Sequence, residues 1–222
     1  MTWFSTIDLN PQRRQARRML SSGQVMHASV LNAFAPGTEL EGPNGRVLWR
    51  LDADSVERRL YIVSPERPDL SALAEQAGWE TSPGRSADYG ALLDTLKIGQ
   101  QWNFRFRGNP VKSIRQEGRG KVVPHVTPSQ QLNWLNSRGA DNGFRVPQTE
   151  DDDWLATVTS RQDAAFQRAD PNAGRPGRVT LRQAQFDGVL EVTDVARLRK
   201  ALTHGIGRGK AYGCGLMTLR RK

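Results

Sequence analysis

Near the end of the chain, five glycines fall within the eleven positions of residues 205–215. Because glycine has no Cβ, its backbone can approach a phosphate closely and present N–H groups, while Arg208 and Lys210 add positive charge. The spacing does not fit a nucleotide-binding P-loop, which needs a glycine where this chain has His204 and a Ser or Thr where it has Ala211. A Rossmann turn is also excluded, since these glycines follow a predicted helix and do not open one. The stretch therefore predicts a loop that binds a polyanion.

The charge distribution points to the same partner. The net charge is +9, yet residues 1–95 carry 10 Lys and Arg against 12 Asp and Glu, whereas residues 96–222 carry 22 against 11. A basic region of this kind attracts polyanions by releasing their condensed counterions. The prevalence of Arg suits bidentate contacts with phosphate and stacking on bases.

Other classes of protein are not indicated. No apolar run approaches the roughly 18 residues of a membrane span, and the N-terminus lacks the order of a signal peptide. Cys214 is the single cysteine, and the three histidines are scattered, so we expect neither a disulfide nor a metal site. These features predict a cytoplasmic protein without a cofactor, which is a monomer when free.

Several segments are similar to known RNA-binding proteins of CRISPR systems. Residues 205–216, Gly-Ile-Gly-Arg-Gly-Lys-Ala-Tyr-Gly-Cys-Gly-Leu, resemble the glycine-rich loop of the RAMP proteins. Residues 9–11, Leu-Asn-Pro, followed by two arginine pairs, resemble the start of the CasE branch, as do Met26-His27 and residues 105–112, Arg-Phe-Arg-Gly-Asn-Pro-Val-Lys. These segments occur in the order of the CasE family and span nearly the whole chain.

The resemblance to CasE implies an endoribonuclease of type I-E Cascade that needs no metal. It would cut the repeat hairpin of precursor CRISPR RNA, with the RNA's own 2′-hydroxyl as nucleophile, leaving a 2′,3′-cyclic phosphate and a 5′-hydroxyl. The product would stay bound, together with the other Cascade subunits. Such chemistry requires a proton acceptor, a proton donor and positive charge around the phosphorane.

His27 matches the catalytic histidine of the family, and we expect it to act as general acid on the 5′-oxygen. The nearby helix N-terminus disfavours its protonation, whereas a bound phosphate favours it. CasE proteins usually have a tyrosine three residues earlier, where this chain has Gln24, which we expect to form a capping box with Ser21. This departure leaves open a catalytically weak or inactive subunit that binds repeat RNA. A general nucleic-acid-binding protein outside CRISPR systems is a third possibility.

Contacts with RNA are expected from three regions besides the glycine-rich loop. They are a loop of arginines before the His27 helix, the turn after the first strand of the second half, and a long hairpin that reaches into the RNA stem. The residues expected to contact RNA are Arg13, Arg14, Arg17, Arg18, Arg105, Asn109, Lys112, Arg115, Arg161, Arg168, Gly207, Arg208, Gly209 and Lys210.

The elements that must position these residues follow the same order in both halves. Apolar periodicity predicts, in the first half, strand 3–9, helix 25–34, strands 46–52 and 59–64, helix 70–77 and strand 89–96. In the second half it predicts strand 101–107, helix 130–138, strands 154–166 and 178–192, a helix up to residue 204 and strand 216–219. Thr127 and Pro128 form a typical helix start, and Asp194 caps the last helix.

Strand, helix, strand, strand, helix, strand is the order of a split βαβ unit. The sequence therefore predicts an α+β protein of two tandem ferredoxin-like (βαββαβ, RRM-like) domains. The first would span residues 1–97 and contain the catalytic histidine. The second would span residues 98–222 and contain the basic surface and the glycine-rich loop.

Overall fold

The computed structural model describes residues 1–53, 57–116, 119–168 and 177–222. The first half of the chain contains β1 (Trp3–Asp8), α1 (Arg14–Ser21), α2 (Gly23–Leu31), β2 (Glu41–Gly42), β3 (Gly45–Arg46), β4 (Leu48–Ala53), β5 (Arg58–Ser64), α3 (Ser71–Ala77), β6 (Arg85–Asp88) and α4 (Gly90–Leu93). The second half contains β7 (Gln101–Gly108), β8 (Val111–Gln116), β9 (Arg119–Pro124), α5 (Pro128–Asp141), β10 (Phe144–Arg145), β11 (Ala156–Arg168), β12 (Gly177–Val192), α6 (Val195–His204), a 3-10 turn (Lys210–Tyr212) and β13 (Met217–Arg221). The predicted α+β class is confirmed.

The first half is built on an antiparallel sheet in the order β4-β5-β1-β6. Ile7 of β1 lies opposite Leu60 of β5, and both are buried in an apolar layer. Met26 and Val30 of α2 belong to the same cluster, together with Met19 of α1. This packing fixes α2 beside the sheet. His27, the residue after Met26, is half-buried.

The second half is built on a sheet in the order β10-β12-β7-β13, with β11 also paired to β12. Trp102, Phe104 and Phe106 face the core from β7, as their alternation predicts. Phe106 stacks against Trp134 of α5 and Phe186 of β12, with ring centroids 6.3 and 5.9 Å apart. These aromatic contacts fix α5 and the glycine-rich loop on the same side of the sheet, because Gly207 of the loop approaches the ring of Trp134.

A buried ion-pair network centred on Arg50 joins the two halves. Arg50 of β4 is 1% exposed, and its guanidinium bonds Asp52 at 2.7 and 3.0 Å. The same group donates to the carbonyl oxygens of Arg105 at 2.8 Å and Leu216 at 3.3 Å, and to Thr218 Oγ1 at 2.9 Å. A buried guanidinium is tolerated because nearly all of its donors are used. Arg50 thereby joins β4 to β7 and β13.

We expect Arg50→Ala to lower the free energy of unfolding by about 3–5 kcal/mol, because removing one partner of a buried pair leaves its other partners unsatisfied. Arg59→Ala is the matched control: Arg59 also pairs with a carboxylate on the same sheet, Asp8 at 2.7 Å, but is 37% exposed. Its loss should cost about 1 kcal/mol or less. Urea unfolding followed by circular dichroism measures both. Equal losses for the two variants would contradict the role of Arg50.

Arg14, Arg17 and Arg18 lie on helix α1 and Arg13 is its N-cap residue, so the predicted loop is wrong. Helix α1 forms because Ala16 and Met19, three positions apart, are both buried, while the arginines occupy the outer face. The capping box expected between Ser21 and Gln24 is also absent. Ser22 is the N-cap of α2 and its Oγ accepts from the backbone N–H of Val25, while Gln24 is exposed.

Residues 89–96 do not form the predicted strand. The edge strand β6 precedes them, and the chain then turns into the short helix α4. Tyr89, Leu93 and Leu96 are buried at spacings of four and three, which is the helical and not the strand period. The basic segment 108–124 contains a further element, the hairpin of β8 and β9. The predicted capping of α5 by Thr127 is confirmed and includes a full capping box with Gln130.

Candidate active site

His27 lies in the middle of α2, where its imidazole meets the indole of Trp49 from β4. Trp49 Nε1 donates a hydrogen bond to His27 Nδ1 at 3.3 Å, and Trp49 is 4% exposed. An indole nitrogen is a donor and never an acceptor. In this arrangement Nδ1 therefore accepts, and the proton of the neutral imidazole is on Nε2.

The positive charge of Arg46 acts on His27, and Lys210, from a distant part of the sequence, lies near Arg46. Burial, and then the positive charge of Arg46 on β3, hold the pKa of His27 below its usual value. Burial and Arg46 also lower the pKa of Lys210 in the 3-10 turn, against the opposing effect of Glu41. Arg46 Nη1 pairs with Glu41 at 3.1 Å, while its buried Nε has no hydrogen-bond partner in the described part of the protein. The site thus combines one imidazole with two cations that can stabilise a phosphorane.

The glycine-rich loop reaches this site directly. Its 3-10 turn is flanked by Gly209 and Gly213, both left-handed with φ of 85° and 78°. A Cβ on Gly213 would lie 2.6 Å from the Trp49 ring, so the close approach of loop and indole requires glycine there. On the other side, the ring of Tyr212 lies 3.8 Å from the position of a Cβ on Gly23, at the first turn of α2. The loop expected to hold RNA therefore also forms one wall of the His27 site.

The arginines of α1 flank the same helix. Arg13 donates to the carbonyl of Glu75 and to Glu80 at 3.2 Å, and Arg17 donates to the carbonyl of Gln12 at 2.6 Å. Arg14 and Arg18 are exposed and line a shallow surface depression together with Arg13. Helix α1 packs against α2 and α3, and these side chains form a basic surface on its outer face.

Other predicted RNA contacts lie on the second half. Arg105 is bound by two carboxylates, Asp187 at 2.5 Å and Asp52 at 3.3 Å, so much of its charge is already neutralised. Asn109 is buried. Its Cβ lies 3.7 Å from the position that a Cβ on Gly209 would take, so Asn109 lies against the glycine-rich loop. Lys112 on β8 is exposed.

Arg161 is exposed on the long hairpin and lines an open cleft of about 720 Å³ with Val126, Asp163 and Arg182. Gly207 and Arg208 are exposed at the tip of the glycine-rich loop. The side chains of Arg115 and Arg168 lie outside the described part of the structure. The predicted RNA contacts thus divide into the arginines at α1 in the first half and a group spread over the second half.

Arg46 and Trp49 were not among the residues that the sequence singled out. Neither belongs to a motif. Trp49 approaches His27 because β4 pairs with β5 in the sheet, and Arg46 approaches it from the short hairpin of β2 and β3 that precedes β4. Within the described residues, no group of three or more His, Cys, Asp or Glu side chains is arranged to hold a metal ion. No helix in the described ranges is long and apolar enough to cross a membrane.

Comparison with known proteins gives matches along the whole chain. The model of a family described as CRISPR associated protein matches residues 2–221. The CRISPR-associated endoribonuclease Cse3 of Thermus thermophilus is 34% identical over 221 residues, covering 98% of this chain and 99% of that protein. The Cascade subunit CasE of Escherichia coli is 30% identical over 133 residues, covering 56% of this chain and 60% of that protein. The structure of Thermus thermophilus Cse3 bound to an RNA representing a pre-cleavage complex is similar with a TM-score of 0.78, at 30% identity over 99% of this chain and 98% of that one.

Proposed function

This chain belongs to the Cse3/CasE family of CRISPR-associated endoribonucleases, and on that premise we propose that it cleaves the repeat hairpin of precursor CRISPR RNA without a metal ion. The observation that carries the proposal is the hydrogen bond between Trp49 and His27 beside the glycine-rich loop, whose 3-10 turn contacts both α2 and β4, with Arg46 as the neighbouring cation. An imidazole with a cation beside it and a basic loop against its helix is suited to phosphate-ester cleavage, in which a proton must be moved and negative charge grows on the phosphoryl oxygens.

In the proposed reaction, the 2′-oxygen of the RNA bonds to phosphorus and the bond from phosphorus to the 5′-oxygen breaks. The proton of the 2′-hydroxyl passes to solvent, and the departing 5′-oxygen takes a proton from Nε2 of the His27 imidazolium, which forms when Nδ1 takes a proton from solvent in the complex and becomes neutral again on donation. Arg46 and Lys210 stabilise the additional charge on the phosphorane. The exposed amide of Gln24 takes no part in proton transfer, since it has no titratable group.

RNA binding would extend from this centre over both halves. The α1 arginines, the glycine-rich loop with Gly207, Arg208 and Gly209, and the long hairpin with Arg161 would follow the phosphates of the stem, because A-form RNA is recognised mainly by shape and charge. We further propose that each half forms one ferredoxin-like unit, with the boundary between residues 97 and 98. The strand order β4-β5-β1-β6 of the first half corresponds to β11-β12-β7-β13 in the second half. The product would remain bound and assemble with other Cascade subunits in the cytoplasm.

A second candidate function is a Cascade subunit that binds repeat RNA without cutting it. Two observations favour it: Gln24 occupies the place of the family tyrosine, and the Nδ1 atom of His27 is already engaged by Trp49. Binding alone would need only the basic surface and the glycine-rich loop.

Incubation with the cognate repeat RNA in excess EDTA tests the proposal. We expect cleavage at the base of the hairpin, with a 2′,3′-cyclic phosphate and a 5′-hydroxyl as product ends. An RNA with one 2′-deoxynucleotide at the scissile position is the matched control and should bind but stay intact. Tight binding with both RNAs intact would favour the second candidate. Equal competition by duplex DNA at moderate salt would instead indicate a general nucleic-acid-binding protein.

A further inference from the structure

We propose that Trp49 is a positioning residue that holds the imidazole of His27 neutral, with its proton on Nε2, until an RNA phosphate enters the site and separates the two rings. The inference goes beyond the general-acid role of His27. It rests on the proposed function for the cleavage step, whereas its claim about the free protein stands on geometry alone.

The indole N–H of Trp49 donates to Nδ1 of His27, the ring nitrogen that must gain a proton before His27 can act as an acid. Trp49 Nε1 lies 3.3 Å from His27 Nδ1. The indole is held in place, because it is buried on β4 and the backbone of Gly213 lies against its ring. An imidazolium has N–H groups at both ring nitrogens, so its Nδ1–H would point at the Trp49 N–H. Trp49 and a proton therefore compete for the same lone pair.

The charges around the imidazole act in the same direction. Burial lowers the pKa of His27 most, and the positive charge of Arg46 on β3 lowers it further. Arg46 also lowers the pKa of Lys210 in the 3-10 turn. Glu41 on β2 pairs with Arg46 and is the opposing charge. A bound phosphate adds negative charge at this place and reverses the balance, because an opposite charge within a few ångströms favours the charged form of His27.

The proton inventory of the reaction follows from this arrangement. Release from Trp49 lets Nδ1 take a proton from solvent, which forms the imidazolium. Its Nε2–H then passes to the 5′-oxygen as the bond from phosphorus to that oxygen breaks, and the ring is left neutral with its proton on Nδ1. Nε2 then takes a proton from solvent and Nδ1 releases its own to solvent, so that the ring stays neutral overall and Nδ1 can again accept from the Trp49 N–H, which favours this resting tautomer after each cleavage.

The test is a ¹H–¹⁵N magnetic resonance titration of the three histidines in the free full-length protein, with His27 assigned from His27→Ala. In the wild type, the ¹⁵N shifts should show an unprotonated Nδ1 and a protonated Nε2 at neutral pH. In Trp49→Phe, the pKa of His27 should rise by about 0.5–1 pH unit, which corresponds to the loss of one ordinary hydrogen bond. Because bound RNA separates the two rings, the alkaline fall in the single-turnover cleavage rate, which reports the pKa of His27 in the complex, should lie at the same pH in Trp49→Phe as in the wild type.

Trp102→Phe is the matched control. Trp102 is also a buried tryptophan whose Nε1 donates a hydrogen bond at 3.3 Å, but to Gln100 and far from His27 along the chain. It should leave the titration of His27 unchanged. An unchanged pKa of His27 in a folded Trp49→Phe would overturn the proposal. If Trp49→Phe does not fold, the wild-type spectrum decides, since a proton on Nδ1 overturns the proposal equally.

Adding the 2′-deoxy repeat RNA separates this inference from the proposed function. We expect the wild-type pKa of His27 to rise and the Trp49 indole N–H resonance to shift when the RNA binds. No change in either signal with RNA bound would overturn the release step. Absence of cleavage together with the expected resting tautomer would refute the endoribonuclease proposal and leave the Trp49 contact standing.

Discussion

His27→Ala is expected to slow cleavage of repeat RNA by about 10²–10⁴-fold, the range typical of losing a general acid. Without the imidazole, the 5′-oxygen must leave as an alkoxide or take its proton from water. Affinity for the RNA should change little, because the basic side chains of α1, the glycine-rich loop and the long hairpin remain. Single-turnover cleavage and filter binding, measured on the same RNA, separate the two effects.

The pH profile adds a second criterion for this variant. If His27 is the acid, the wild-type rate falls as pH rises through the pKa that His27 has in the complex, and this limb disappears in His27→Ala. His204→Ala is the matched control, since His204 is a half-buried histidine at the end of α6 whose Nδ1 lies 2.9 Å from Thr203 Oγ1. A similar loss of rate in both variants would argue against a specific role for His27.

Local patterns predicted the framework that holds this site. The alternation of Trp102, Phe104 and Phe106 identifies β7, and the Thr127 cap identifies the start of α5, because each signal lies within a few residues. Helix α1 escaped prediction because its arginines outnumber the two buried residues, Ala16 and Met19, that anchor it. The strand predicted for residues 89–96 was wrong because a short apolar run fits either a strand or a buried helix.

The composition of the candidate site depends on contacts between remote segments. His27 was identified through its resemblance to the family, but Arg46 and Trp49 join it only when β3 and β4 pack beside α2. Lys210 was predicted to contact RNA as part of the glycine-rich loop. Its place near Arg46 follows from the left-handed turns at Gly209 and Gly213, which bring the loop onto Trp49. No local pattern in the sequence encodes these distances.

Lys210→Met is expected to slow cleavage by about 10²-fold, the lower range for losing one group that stabilises charge in the transition state. Methionine keeps much of the length of the side chain and removes its charge, so the packing over Gly215 should survive. Binding of the RNA should weaken much less than the rate falls, because a single phosphate contact contributes a small part of the total. Single-turnover rates at saturating protein isolate the chemical step from binding.

Lys200→Met is the matched control, because Lys200 is an exposed lysine on α6 in the same half of the chain. It should leave the rate unchanged. A double substitution with Arg46→Met tests whether the two cations act on the same phosphate. If they do, the losses are not additive, since residues that stabilise one charge are coupled. Additive losses, or a fall in Lys210→Met that is confined to binding, would place Lys210 on the RNA path away from the scissile phosphate.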